Sequence, residues 1–391
     1  ETAFRNHYCD VGAVLTEMMQ SDLTKEKQDG QKLTSTEYEN LCQALELDIE
    51  AHDSILFPFS ALSNYLDATY DQKKALMMGQ KVLAGLEEYP PEILKGQIGV
   101  ELVGVLDYIA KCYLQLEMLT EAETTYKRAL ELNEQNIVFD DKTKAVTKAG
   151  ICFQLGIVAQ EQRHWEEAEK CYNKAQELFI EFGEHLSQAG TYHQLGILAQ
   201  RQRHWEDAEY NYKAALRIFI RLAERSSQAS TYFQMGVLAG EQQKWNTAIG
   251  HYTSALNIYL ESNNRYNQAN VYHQMGIVML EQKQWTEAKN YYEKALKISI
   301  ELKDRAFQAN IYHNLGRVAE GQEQWDQAKA YYLKSLQIKI ELGDSYSQAN
   351  TYNNLGVVCQ IQELWKQAND YYMKALEIFV EFRDDYNIKS T

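Results

Sequence analysis

Proline is scarce in this chain. Its 391 residues hold three, and none lies beyond Pro91, so the stretch from 92 to 391 is free of the residue that breaks helices from within. Long apolar runs are missing as well. Nothing approaches eighteen consecutive apolar residues, which excludes a membrane-spanning helix. Positive charge is in deficit: 39 Lys and Arg against 55 Asp and Glu leave a net charge of −16. Residues 1–146 carry 26 acidic and 13 basic side chains, and 147–386 carry 29 and 25. An acidic first part and a nearly neutral second part offer no basic stripe for counterion release, which argues against a nucleic-acid groove. Cys9, Cys42, Cys112, Cys152, Cys171 and Cys359 form no CxxC pair and no His-spaced zinc pattern, and read as free thiols of a reducing, cytoplasmic compartment. No G-x-x-x-x-G-K-[ST] loop is present to cradle a nucleotide. The chain begins Glu1-Thr2-Ala3 and is expected to be a processed or excised piece of a longer protein.

What the sequence does have is a forty-residue period. All six tryptophans lie on one grid, Trp165, Trp205, Trp245, Trp285, Trp325 and Trp365. Glycines repeat at 156, 196, 236, 276, 316 and 356, and alanines at 168, 208, 248, 288, 328 and 368. Each unit holds two helical patterns. Tyr192, Leu195, Gly196 and Ala199 share one helix face, and Trp205, Ala208, Tyr212, Ala215, Leu216 and Phe219 make a broader stripe. The polar "RQRH" between them permits only an antiparallel pair. Asp304 and Asp344 are expected to cap the next first helix, and the tryptophans, lying on the second stripe, are expected to pack in the core. A single pair cannot bury both faces, so neighbouring units must stack. The phrase repeats because each copy is the surface on which the next one packs.

Tyr192-x2-Leu195-Gly196-x2-Ala199 followed by Ala208-x3-Tyr212-x2-Ala215 resembles the tetratricopeptide repeat, with Tyr in place of the usual Trp. The usual repeat is about 34 residues long, so each unit here gains a turn or so of helix. Forty-residue versions are similar to those of the kinesin light chain and of spindle-orientation adaptors. The resemblance implies an all-α, right-handed superhelical solenoid of antiparallel helix pairs. Six regular units cover 147–386, and degenerate units fill 57–146, with worn copies at 103–133 and about 57–88 separated by Pro90-Pro91. Residues 1–56 form an acidic helical region, a candidate linker from an upstream domain. Residues 387–391 fall in register with 347–351 and read as the start of a further unit or cap. The junction at 134–147, where the acidic section meets the regular array, is the expected hinge. "YENLCQALELDIEAHD" (38–53) is similar to the helix that leads into the repeats of STAND proteins, the signal-transduction ATPases with numerous domains.

Opposite the Tyr-Leu-Gly-Ala face, two residues before each glycine, stand Gln154, Gln194, Gln234, Gln274, Asn314 and Asn354. One residue earlier come Phe153, His193, Phe233, His273, His313 and Asn353, while Ile157, Ile197, Val237, Ile277, Arg317 and Val357 follow the glycines. In the family that this pattern resembles, first helices line a concave groove that holds a protein or peptide. The carboxamides would form a ladder there, since an amide both donates and accepts and can pair with an extended backbone of any sequence. The rings would wall side-chain pockets, and Arg201 and Arg317 would stand near the same face.

No catalytic constellation repeats or clusters. His193, His273 and His313 belong to different units, with no second ligand at i+4, so neither a metal nor a cofactor is expected. The chain therefore reads as a non-catalytic recognition module, the sensor arm of a STAND-type ATPase whose own core, or another effector domain, could contact it. A constitutive adaptor and the regulatory repeats of an enzyme such as a protease are the alternatives.

Overall fold

The forty-residue period is filled by two helices of seventeen residues and two links of three. The computed structural model describes residues 1–21, 24–136, 138–382 and 384, and these form helices and their connections without a strand. The register of 387–391 lies outside the described residues. The chain divides into two compact units, 1–204 and 205–391.

The first unit holds α1 (Thr2–Gln20), α2 (Thr24–Glu50), α3 (Leu56–Thr69), α4 (Gln72–Glu87), α5 (Pro91–Leu94), α6 (Gln97–Gln115), α7 (Leu119–Gln135), α8 (Asp141–Glu161), α9 (Trp165–Glu181) and α10 (His185–Arg201). The second holds α11 (Trp205–Arg221), α12 (Arg225–Glu241), α13 (Trp245–Glu261), α14 (Arg265–Glu281), α15 (Trp285–Glu301), α16 (Arg305–Gly321), α17 (Trp325–Glu341), α18 (Ser345–Ile361) and α19 (Trp365–Glu381). In both, consecutive helices pack as the pairs of a tetratricopeptide-like solenoid, as the sequence period requires. No described helix is long and apolar enough to cross a membrane.

Each link turns on one left-handed residue. Gln243, Lys283, Glu323 and Glu363 have φ between 57° and 60°, and Gly343 has φ 70°. A side chain there costs about 1 kcal/mol, but the turn lets the chain satisfy the orphan carbonyls of the helix end. The Lys244 N–H returns to the Ala239 carbonyl at 2.8 Å, and Gln243 N–H to Gly240 at 2.9 Å. The entering helix is then capped by side chain. Asp304 accepts from Phe307 N–H at 2.9 Å and Asp344 from Ser347 N–H at 3.1 Å, as expected, and Asn264 does the same for Asn267.

The deepest side chains are tyrosines of the second helices. Tyr126, Tyr172, Tyr252, Tyr292 and Tyr332 are almost fully buried. Each regular one lies on the glycine of its own first helix: a Cβ built at Gly276 would stand 2.6 Å from Tyr292 Cε1, and one at Gly236 2.5 Å from Tyr252 Cε1. The glycines keep the period because only a bare backbone admits the ring. Gly276→Ala should therefore lower stability by about 1–3 kcal/mol through overpacking, although alanine is the better helix former by about 1 kcal/mol. Gly250 has nothing within 4 Å of its would-be Cβ. Gly250→Ala should raise stability by up to about 1 kcal/mol, and paired thermal melts would separate the two effects.

The tryptophans pack against the core as their stripe suggests, but at its edge: Trp165, Trp245, Trp285 and Trp325 each lie against a buried cluster. Trp165, Trp245, Trp285 and Trp325 are half-buried, and Trp365 is 63% exposed. Trp285 shows why. Its ring lies over the backbone of the following first helix, where a Cβ at Gly321 would meet Cη2 at 2.6 Å. The ring thus covers the seam between successive pairs, and Trp365 has no described pair after it to cover.

Upstream, α1 and α2 belong to the same apolar core as α3 to α8. Leu15 and Met19 of α1 pack with Leu41 and Leu45 of α2, Leu62 of α3 and Leu102 of α6. Arg5 ties this bundle together, with Nε on Asp48 and Nη2 on Asp53, each at 2.6 Å. At the junction after α7, Asn133 Nδ2 donates to the Lys144 carbonyl at 3.0 Å, and Lys148 pairs with Glu134.

Candidate functional site

On each regular first helix, a ring or amide and the carboxamide after it stand just before the Leu-Gly or Met-Gly pair. Phe153, Gln154, His193 and Gln194 belong to the first unit. Phe233, Gln234, His273, Gln274, His313, Asn314, Asn353 and Asn354 belong to the second. All twelve are half-buried. The ring residues lie on the core tyrosine of their own pair. Phe153 meets Tyr172 and Phe233 meets Tyr252, both at 5.8 Å between centroids, while His273 meets Tyr292 at 5.6 Å and His313 meets Tyr332 at 5.3 Å. Interplanar angles of 54–59° repeat the same tilted packing whether the ring is Phe or His.

Burial fixes the charge state of these histidines. It lowers His193 and His273 to about 4 and His313 to about 3, with Lys339 and Arg317 adding to the effect on His313. At neutral pH all three are uncharged and each keeps one nitrogen as an acceptor.

The carboxamides divide into two sets. Asn314 Nδ2 lies 2.9 Å from His273 Nε2, and Asn354 Nδ2 lies 3.3 Å from His313 Nε2. Each asparagine so bridges to the first helix of the preceding pair. An amide that donates to Nε2 leaves the ring proton on Nδ1, and His313 Nδ1 faces Thr351 Oγ1 at 3.4 Å. Gln154, Gln194, Gln234 and Gln274 instead have no side-chain partner within the protein among the described residues. They are half-buried amides whose hydrogen-bonding capacity is open. Ile157, Ile197, Val237 and Ile277 are half-buried beside them, whereas Arg317 and Val357 are exposed. Both arginines are engaged: Arg201 Nη1 lies 3.1 Å from Glu161 and Arg317 Nη2 3.3 Å from Glu281.

Four further residues complete the face at α16–α18. Asn310 and Asn350 lie one helical turn before His313 and Asn353 or Asn354. With Ser347 and Lys339 they line a polar cleft of about 400 Å³ that also takes in Arg317. Lys339 comes from a second helix. The repeat itself carried its signal, since the same slot holds Phe179, Phe219, Tyr259, Ser299 and Phe379 in the other units. Among the described residues, no group of three His, Cys, Asp or Glu side chains is placed to hold a metal ion.

A family model described as tetratricopeptide repeat matches residues 151–221, 227–301 and 307–379, and a second of the same description matches 109–136. No curated protein matches the chain. Solved structures do share the fold. The apo form of the quorum sensor NprR from B. thuringiensis is similar with a TM-score of 0.61 at 14% identity, covering 95% of this chain and 99% of that one. A Rap protein complexed with competence and sporulation factor gives 0.58 at 12%, covering 97% and 99%. A STAND protein with a tetratricopeptide repeat sensor, from Pyrococcus horikoshii, gives 0.56 at 12%, covering 98% of this chain and 66% of that one. With matched segments spanning more than half of its length, the chain belongs to the tetratricopeptide repeat family.

Proposed function

We propose that this chain is a non-catalytic binding module that holds an extended protein or peptide segment against its first helices, in the groove that they line. The observation that carries this reading is the set of half-buried glutamines, Gln234 and Gln274 above all, whose amides have no partner within the protein among the described residues. Half-buried amides without a protein partner keep their donors and acceptors available to a ligand. An extended backbone offers the alternating N–H and C=O that such amides need. The rings and apolar side chains between them supply walls for side chains of the bound segment.

In its finer form the module is the ligand-sensing arm of a STAND-type ATPase, working in the cytoplasm and in contact with its own ATPase or effector domain. Support comes from "NLCQAL" (40–45), which lies within α2 with Leu41, Ala44 and Leu45 buried in the core that joins α1, α2 and α3, and from the likeness to the Pyrococcus protein. The acidic helices 1–56, the degenerate units 57–146 and the regular array 147–386 would then be linker, adaptor and reader in that order.

The test is the double variant Gln234→Ala with Gln274→Ala, screened against degenerate peptide pools. Retention should fall by at least about fivefold, the effect of about 1 kcal/mol of net hydrogen bonding, with helicity and melting unchanged. Equal retention would overturn the reading.

A further inference from the structure

The pair α8–α9 packs as its later copies do. A Cβ built at Gly156 would stand 2.5 Å from Tyr172 Cε1, as one at Gly236 would from Tyr252 Cε1. Phe153 meets Tyr172 at the same 5.8 Å and 54° as Phe233 meets Tyr252. Positions in this pair can therefore be read by the period. In four pairs of the second unit, one slot on the first helix and one on the second hold two stacked rings. Tyr232 lies on His251, Tyr272 on Tyr291, Tyr312 on Tyr331 and Tyr352 on Tyr371, with centroids 6.2–6.4 Å apart and planes inclined by only 25–29°. In α8–α9 the same two slots are Cys152 and Cys171. Both members of a packed couple have become cysteine together.

The lysine that accompanies the rings is kept. Lys294, Lys334 and Lys374 hold Nζ 5.4–5.5 Å from the centroids of Tyr272, Tyr312 and Tyr352, and Lys174 stands in their slot. Burial raises both thiols, Cys171 to about 11. Against it, Lys148 and Lys174 favour a negative charge on Cys152, and Lys170 and Lys127 one on Cys171, with Glu134 and Glu167 opposing. A charge on Cys152 also raises Cys171, so each sulfur lies within the other's field. More cations than carboxylates act on the couple, which suits a site whose occupied form is an anion. Cys152 is buried and Cys171 half-buried, so an ion can reach the couple from the Cys171 side.

Geometry selects what the two thiols can hold. Neither is in a disulfide. A direct bond needs Cβ atoms about 3.8 Å apart, closer than suits a slot built for two stacked rings, and the Gly156–Tyr172 contact resists a nearer approach of the helices. A bridging ion with bonds of about 2.3 Å spans up to about 4.6 Å between sulfurs. Among the described residues, no group of three His, Cys, Asp or Glu side chains could hold a metal, so a tetrahedral zinc site is not built here. Two thiolates alone suit a soft ion that accepts linear coordination.

We propose that Cys152 and Cys171 form a two-coordinate site for a soft monovalent ion, copper(I), that clips α8 to α9. Binding forms two S–Cu bonds, releases both thiol protons to solvent and transfers no electron. The product is a singly negative complex beside Lys148 and Lys174. The site stands independently of the groove reading above.

The test is titration of the reduced whole chain, without oxygen, with copper(I) presented by the chromophoric chelator bathocuproine disulfonate. The wild type should withdraw one ion per chain. It should also melt at a higher temperature with the ion, because a ligand of the folded state alone stabilises it. Cys152→Tyr with Cys171→Tyr rebuilds the ring couple of the later pairs and should abolish the uptake, while Cys9, Cys42, Cys112 and Cys359 remain as controls. Cys171→Ser, which changes the volume little, should abolish it as well. A wild type that takes no ion from the chelator overturns the site. Uptake that survives in Cys171→Ser or in the double variant overturns it equally.

Discussion

Tyr292→Ala should cost about 3–5 kcal/mol, the range for truncating a large buried ring, and Trp285→Ala roughly half as much. Tyr292 is fully buried against the Gly276 backbone, whereas Trp285 is half-buried over the Gly321 seam. Apolar area removed from water scales the two losses. A third variant isolates packing from polarity. The Tyr292 hydroxyl is buried without a hydrogen-bond partner, so Tyr292→Phe should be neutral or stabilising by up to about 1 kcal/mol. Tyr332 provides the contrast, because its hydroxyl donates to Glu320 at 2.7 Å. Stability in a stacked array is a sum of unit and interface terms, so the readout should be local. Hydrogen exchange should rise first in α14, α15 and α16 for Tyr292→Ala. If Trp285→Ala proved the more costly variant, the tryptophan grid rather than the tyrosine grid would be the core.

That inversion marks what the sequence could and could not tell. The period, the helix pairs and their links were legible because glycine, alanine and aromatic positions recur at fixed spacing, and a stack of like units is the arrangement that demands such recurrence. The caps at Asp304 and Asp344 were legible for the same local reason. Burial within the stripe was not. Trp285 and Tyr292 lie on one helix face two turns apart, and only the path of the neighbouring pair decides which ring is enclosed and which lies across a seam. On the candidate face, register placed Gln154, Gln194, Gln234 and Gln274 together with Asn314 and Asn354. By itself it did not separate glutamines with open amides from asparagines that bridge to His273 and His313, because that also takes a partner on the preceding first helix: His273 and His313 offer a ring nitrogen to Asn314 and Asn354, whereas Phe153 and Phe233 hold that position before Gln194 and Gln274. Lys339 escapes notice for a different reason. A search for what the repeats share passes over the single unit in which a core slot has changed its chemistry.

Acidification should begin to destabilise the array well above the range in which most carboxylates titrate. His273 and His313 of the second unit are lowered by burial to about 4 and about 3, and His193 of the first unit to about 4, against about 6.5 in an unfolded chain. The sign follows from proton counting. Between pH 6.5 and 4 the unfolded chain binds a proton at each histidine that the folded one refuses, so stability is full above about 6.5 and falls as pH drops. Allowing for the partial exposure of the rings, each should withdraw about 2–3 kcal/mol by pH 4. His251, also lowered by burial, adds to the second unit in the same direction. The array supplies its own control, since Phe153, Phe233 and Asn353 occupy the same slot in other units. The double variant His273→Phe with His313→Asn should recover about 4 kcal/mol or more at pH 4 relative to pH 7.5, measured by denaturant unfolding at both values. It should also shift the acid midpoint downward. Lowered carboxylates such as Glu341 and Glu209 give up their contribution only at more acidic pH and remain in the variant, so the difference between the two proteins belongs to the rings. A variant as acid-sensitive as the wild type would mean that His273 and His313 take up protons in place, as rings open to water rather than packed on Tyr292 and Tyr332.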